Sequence, residues 1–123
     1  MTGYNHGNLS DEELVDCFAT ATKQMGAAVL DSETGEANRI FDVMWSIDAT
    51  LRSRGKDARL KLLPLLDDKD RFVRYYAAKK LLGLVPDKAR AEIERNGRYT
   101  FDAICGDAGM TLDALDAGIF KPD

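Results

Sequence analysis

Apolar residues recur along this chain at helical rather than strand spacing. Leu14, Phe18, Ala21, Met25 and Ala28 stand at i, i+4, i+7, i+11 and i+14, one stripe of an α-helix ending near Leu30. Ser10 and Glu13 precede it at the spacing of a capping box, in which each side chain satisfies an orphan backbone N–H at the helix start. After a turn over residues 31–35, a second helix is predicted over 36–54. Ile40, Met44, Ile47 and Leu51 repeat the spacing there, and Phe41 and Trp45 widen the stripe to one side. Gly55, just after Arg52 and Arg54, is its C-terminal stop.

The remaining elements are shorter. Residues 56–66 (KDARLKLLPLL) read as an apolar helix that Pro64 bends or delays, because proline removes an i→i−4 bond outside the first turn. The polar run 67–70 (DDKD) is a turn that supplies an N-cap to a helix over 71–85, which Pro86 ends. A fifth helix is predicted over 87–95, stopped by Asn96-Gly97, and a last one over 101–117 with Phe101, Ile104, Ala108 and Leu115 on one side. Gly106 and Gly109 within it cost about 1 kcal/mol each relative to Ala, which points to a closely approaching backbone or to a break. Gly118 closes that helix, and Ile119-Phe120 fold back as a hydrophobic tail. Residues 1–9 are expected to be disordered, and residues 10–123 to form a single helical domain. No stretch alternates with strand period, so the fold class is all-α, with about six helices.

Composition agrees with an ordinary globular domain: 123 residues, 45% hydrophobic and 31% charged. The net charge of −4 hides a segregation. Residues 1–50 carry two basic and nine acidic side chains, residues 51–98 fourteen and seven, and residues 99–123 one and five. Either the basic middle segment faces an anionic partner, or acidic neighbouring helices offset it internally. No apolar run approaches the roughly 18 residues of a membrane span, and residues 1–30 show no basic start followed by an apolar stretch. Cys17 and Cys105 form no disulfide framework or metal spacing, which favours a reducing cytoplasm.

Candidate chemistry is sparse. His6, the sole histidine, lies before the first helix without a fixed partner for acid–base work. Cys17 and Cys105 read as buried structural thiols. Asp67, Asp68 and Asp70 fail the EF-hand pattern, since Val73 and Lys79 fall where Gly and Glu are needed, and helix capping accounts for them. No phosphate-cradling glycine motif is present. No catalytic residue, metal or cofactor is therefore expected. At about 100° per residue, Val73, Ala77, Lys80 and Leu84 share one face of the 71–85 helix, and Arg71, Tyr75, Ala78, Lys79 and Leu82 the other. Two partly apolar faces describe a helix packed on both sides. Alternatively Arg71, Tyr75 and Lys79 line an open concave face that binds a partner, as Tyr and Arg are enriched at interface hot spots.

Residues 62–84 (LLPLLDDKDRFVRYYAAKKLLGL) resemble the HEAT-type helical repeat. Val73, Arg74, Ala77, Ala78 and Leu81 fill its V-R-x-x-A-A-x-x-L pattern, with Asp68 and Asp70 in the turn. The resemblance implies that Arg74 pairs with a turn aspartate of a neighbouring repeat. Together with residues 106–122 (GDAGMTLDALDAGIFKP), the segment is similar to a family of small bacterial all-helical proteins catalogued as a domain of unknown function, over residues 10–122. That similarity implies a compact right-handed α–α superhelix of HEAT/armadillo-like helix pairs, without an assigned activity. The functional expectation is a non-catalytic protein-interaction module, an inhibitor or immunity-type partner being one form. The alternative is a helical-repeat protein that binds nucleic acid or phosphate through residues 51–98. Exposure of several among Trp45, Tyr75, Leu82 and Phe120 would call for self-association.

Overall fold

A computed structural model of the chain describes residues 6–99 and 103–123, the side chains of 97–99, 103 and 105 excepted. Among them are six α-helices and no strand: α1 (Asp11–Leu30), α2 (Thr34–Arg54), α3 (Lys56–Leu60), α4 (Arg71–Leu81), α5 (Pro86–Tyr99) and α6 (Ala103–Asp116). A 3-10 turn, Leu63–Asp67, precedes α4. The chain divides into two compact units, Met1–Leu62 and Leu63–Asp123.

The first unit is the α1–α2 hairpin with α3 at its end. The capping box forms as its spacing predicts: the Ser10 N–H donates to Glu13 Oε1 at 2.8 Å and the Glu13 N–H to Ser10 Oγ at 3.1 Å. The stripes of α1 (Leu14, Phe18, Ala21, Met25, Ala28) and α2 (Ile40, Met44, Ile47, Leu51) are buried, and the two helices pack together. Thr22 shares that burial because its hydroxyl donates to the Phe18 carbonyl at 2.7 Å. Phe41 and Trp45 do not join the stripe. At about 100° per residue they lie about 90° and 130° around α2 from its centre, and both are exposed. Gly55 takes φ +107°, a left-handed conformation that lets the chain turn between α2 and α3. Ion pairs from Arg54 to Asp11 (2.9 Å) and from Lys61 to Glu12 (2.7 Å) tie that corner to the start of α1. Of the segment expected to be disordered, residues 1–5 lie outside the described residues. Residues 6–9 form a turn, with the Leu9 N–H on the His6 carbonyl and Arg54 on the Gly7 carbonyl.

In the second unit, three predicted helix ends move for identifiable reasons. The helix expected over 56–66 stops at Leu60, and residues 63–67 form the 3-10 turn instead. Pro64 has no N–H for the Leu60 carbonyl, and its ring collides with that carbonyl in an α-helix. The Asp70 carboxylate caps α4, accepting from the Phe72 and Val73 N–H groups at 2.8 and 3.2 Å. α4 ends at Leu81 rather than at residue 85, where the Leu84 and Val85 N–H groups both turn back to the Leu81 carbonyl. Pro86 then opens α5, at the helix position where a missing N–H costs nothing. A Cβ at Gly83 would fall 2.9 Å from the Asp123 Cα, so that close approach requires glycine. Asn96-Gly97 does not stop α5, which continues to Tyr99. The Asn96 amide is occupied in holding the helix, donating to the Glu92 carbonyl at 2.8 Å and to its carboxylate at 3.0 Å.

α6 runs unbroken through Gly106 and Gly109. A Cβ at either would meet nothing within 4 Å, so neither a break nor a close approach explains them. Ile104, Ala108 and Thr111 are buried, while Phe101 falls outside the described residues. The backbone closes as expected at Gly118 (φ +73°), with the Ile119 and Phe120 N–H groups on the Ala114 carbonyl. The tail side chains do not tuck in: Ile119 is 81% exposed.

Candidate functional site

Arg71, Tyr75 and Lys79, expected to line an open face, are all engaged within the second unit. Tyr75 is fully buried, which removes it from any open surface. Its hydroxyl donates to Asp107 Oδ2 on α6, and Lys79 Nζ reaches the same oxygen at 2.8 Å. Lys79 Nζ also lies 5.9 Å above the Tyr75 ring. Arg71 turns the other way and donates from Nε to Asn96 Oδ1 on α5 at 2.8 Å. The two-sided packing of α4 is thus the reading that the geometry follows.

Burial and the Asp107 carboxylate both hold the Tyr75 phenol protonated well above its ordinary range. Tyr76, edge-on to Tyr75 with ring centroids 5.1 Å apart, is pushed up to about 12 by burial and by the Asp107 charge. In the unfolded chain these phenols ionise near their ordinary pKa of 10. Between pH 10 and about 12 the unfolded state therefore binds fewer protons than the folded one, so stability falls as pH rises through that window. Denaturant midpoints should be level from pH 8 to 9 and drop above pH 10; a midpoint unchanged at pH 11 would contradict the burial of these phenols.

The repeat-like residues are structural. Val73, Ala77, Ala78 and Leu81 are buried. Arg74 does not reach a turn aspartate side chain as the repeat resemblance implies. Its Nη1 donates to the Asp68 and Lys69 carbonyls at 2.8 and 3.0 Å, and its Nε lies 3.5 Å from Glu92 Oε2 on α5. Glu92, itself buried, is also held by Arg95 Nη1 at 2.8 Å. Asn96 joins this carboxylate to Arg71, so one continuous polar network ties α4 to α5.

The charge segregation along the chain largely disappears when residues are grouped by unit. Residues 1–62 carry seven basic and ten acidic side chains, and residues 63–123 ten and eleven. Arg74, Lys79, Arg90 and Arg95, all of the basic segment, pair with carboxylates of α5 and α6.

Two features of the first unit extend the sequence reading. One groove of about 330 Å³ is lined by His6, Asp16, Cys17, Thr20 and Gln24 with Val43 and Ile47 of α2. Cys17 is exposed there, not buried as expected. An imidazole, a carboxylate and a thiol, the residue types of nucleophilic chemistry, thus share one groove. The signal was invisible because His6 precedes the first periodic segment. Cys105 lies outside the described side chains. Among the described residues, no group of three or more His, Cys, Asp or Glu is placed to hold a metal ion, and no helix is long and apolar enough to cross a membrane.

The second feature is the outer face of α2. Trp45 is 61% exposed and Phe41 39% exposed, one turn apart. Asp42 lies beside them, within about 60° of Trp45 around the helix, and is exposed. Val43, which lines the groove, falls about 160° away from Trp45.

These features define a small all-helical protein with structural polar networks and an aromatic pair presented on one helix. The chain belongs to the family described as "Domain of unknown function (DUF2019)", whose model matches residues 12–116. It is similar to the crystal structure of the protein RPA1889 from Rhodopseudomonas palustris CGA009, with 36% identity and a TM-score of 0.92. That likeness covers 98% of this chain and 100% of the other. No curated protein matches the chain significantly.

Proposed function

We propose that this protein is a non-catalytic protein-interaction module whose docking surface is the outer face of α2. The observation that carries the reading is the exposure of Trp45 and Phe41 on one face of a rigid helix. Tryptophan is the residue type most enriched among interface hot spots, and a buried aromatic anchor commonly dominates binding energy. Ile40, Met44, Ile47 and Leu51 fix α2 from behind, so little ordering cost falls on association.

In this reading Arg71, Tyr75 and Lys79 are frame rather than contact, and the partner is another protein met in the cytoplasm. An inhibitor or immunity-type role is one form the module takes. The HEAT-like reading of residues 62–84 and its superhelical arrangement belong to the same proposal, resting on Val73, Arg74, Ala77, Ala78 and Leu81 at the repeat's spacing. A nucleic-acid partner for residues 51–98 fits less well, since Arg74, Lys79, Arg90 and Arg95 of that segment already pair with carboxylates of the second unit.

Capture from a nuclease-treated lysate of the source organism tests the proposal. Wild type should retain a stoichiometric protein partner that Trp45→Ala loses. The substitution should leave stability within about 0.5 kcal/mol, as for exposed sites generally. Retention of the same partner by Trp45→Ala would overturn the assignment of the surface.

A further inference from the structure

We infer that the α2 face receives a cationic partner segment: an amphipathic helix whose apolar side covers Phe41 and Trp45 and whose Arg or Lys engages Trp45 and Asp42. The inference rests on the interaction-module reading and adds the chemistry of the partner. Indole is the strongest cation–π acceptor among side chains, and Trp45 presents it to solvent. Asp42, three residues earlier on the same side, supplies a carboxylate within reach of the same cation. The Asp42 side chain makes no hydrogen bond or ion pair among the described residues.

The first unit as a whole carries an acidic excess, with seven basic and ten acidic side chains. Within residues 11–50, Glu36 pairs with Arg39, Asp11 with Arg54, Glu12 with Lys61 and Asp48 with Arg52. Among the described residues, the side chains of Asp16, Asp31, Glu33 and Asp42 make neither ion pair nor hydrogen bond, against Lys23 as the one such cation of this segment. Asp16 lies in the groove with Val43, away from Trp45. An acidic hairpin steers a basic segment toward it and disfavours anionic ones. A symmetric pair of copies joined through this face would set the same carboxylates against each other, so a second copy is the poorer occupant.

Trp45 is the chain's one tryptophan, so its emission reports directly on this face. Intact protein is titrated with a Leu/Lys amphipathic helical peptide and, separately, with a Leu/Glu peptide of equal length, and calorimetry supplies the affinity. The expected result is a saturable blue shift with the basic peptide and none with the acidic one. Asp42→Lys should weaken the basic peptide about tenfold while melting as wild type does. No saturable response to the basic peptide, equal response to both peptides, or undiminished affinity in Asp42→Lys would overturn the inference. Light scattering that shows a dimer with Trp45 shielded would overturn it in favour of a second copy. The two readings fail separately: lysate capture that depends on Trp45 while the basic peptide stays unbound leaves the module standing and removes only the cationic partner.

Discussion

Replacing Tyr75 with Ala lowers the unfolding free energy by about 3–5 kcal/mol, roughly a fifth or more of the stability of a typical domain, about 5–15 kcal/mol. Tyr75 is among the largest fully buried side chains of the protein. Its removal loses the apolar transfer energy of the ring, the edge contact with Tyr76 and the hydrogen bond to Asp107 together. The surroundings relax only in part into the space left, which adds a cavity cost. Tyr75→Phe separates the contributions. It keeps the ring and deletes the hydroxyl, and the Asp107 carboxylate retains Lys79, so the cost should fall to about 1 kcal/mol. Denaturant unfolding of both variants measures the difference. A Tyr75→Ala variant within about 1 kcal/mol of wild type would mean that Tyr75 is accessible after all, and would restore it as a contact residue.

Glu92→Ala should be the next most costly change, at about 2–3 kcal/mol. The Glu92 carboxylate accepts hydrogen bonds from Arg95 and Asn96 and forms an ion pair with Arg74 at 3.5 Å. Deleting it leaves the part-buried Arg74 guanidinium without its facing carboxylate and removes one acceptor from the Asn96 amide, and a stranded charge costs more than the pair contributes. Arg95, 60% exposed, recovers solvation and keeps the figure below that of a fully buried pair. Glu92→Gln keeps an acceptor for Asn96 and should lose roughly half as much. A double-mutant cycle of Glu92→Ala with Arg74→Ala should show coupling of about 1 kcal/mol or more. Additivity of the two changes would show that Arg74 is held by the Asp68 and Lys69 carbonyls alone.

Much of the helix inventory was legible because it depends on local chemistry. The Ser10–Glu13 box, the Asp70 cap and the glycine at 55 act within one turn of their own positions, and all three do what the spacing predicts. The stripes of α1 and α2 were legible for the same reason, since periodicity states which residues share a face. It does not state how wide a neighbour that face meets. Phe41 and Trp45 extend the α2 stripe on a helical wheel, yet the α1 contact ends before reaching them. Cys17 flanks the α1 stripe and is likewise left outside. Asn96 shows the opposite failure. A residue suited to a helix stop becomes part of the helix once Glu92 and Arg71, four and twenty-five residues away, claim its amide. Tyr75 belongs to the same kind, because its acceptor lies on α6 and no window along the chain contains both. Periodicity therefore does not reveal that Trp45 and Phe41 stay exposed on α2, nor that Tyr75 is buried.

Acrylamide quenching of Trp45, in the free protein and after its captured partner is added back, is the most direct test of the α2 docking surface. The free protein should quench readily, as a tryptophan 61% exposed must, and the complex several-fold less, with a blue-shifted emission. A complex that forms at full stoichiometry while Trp45 stays as quenchable as before would contradict the assignment and place the partner elsewhere on the molecule.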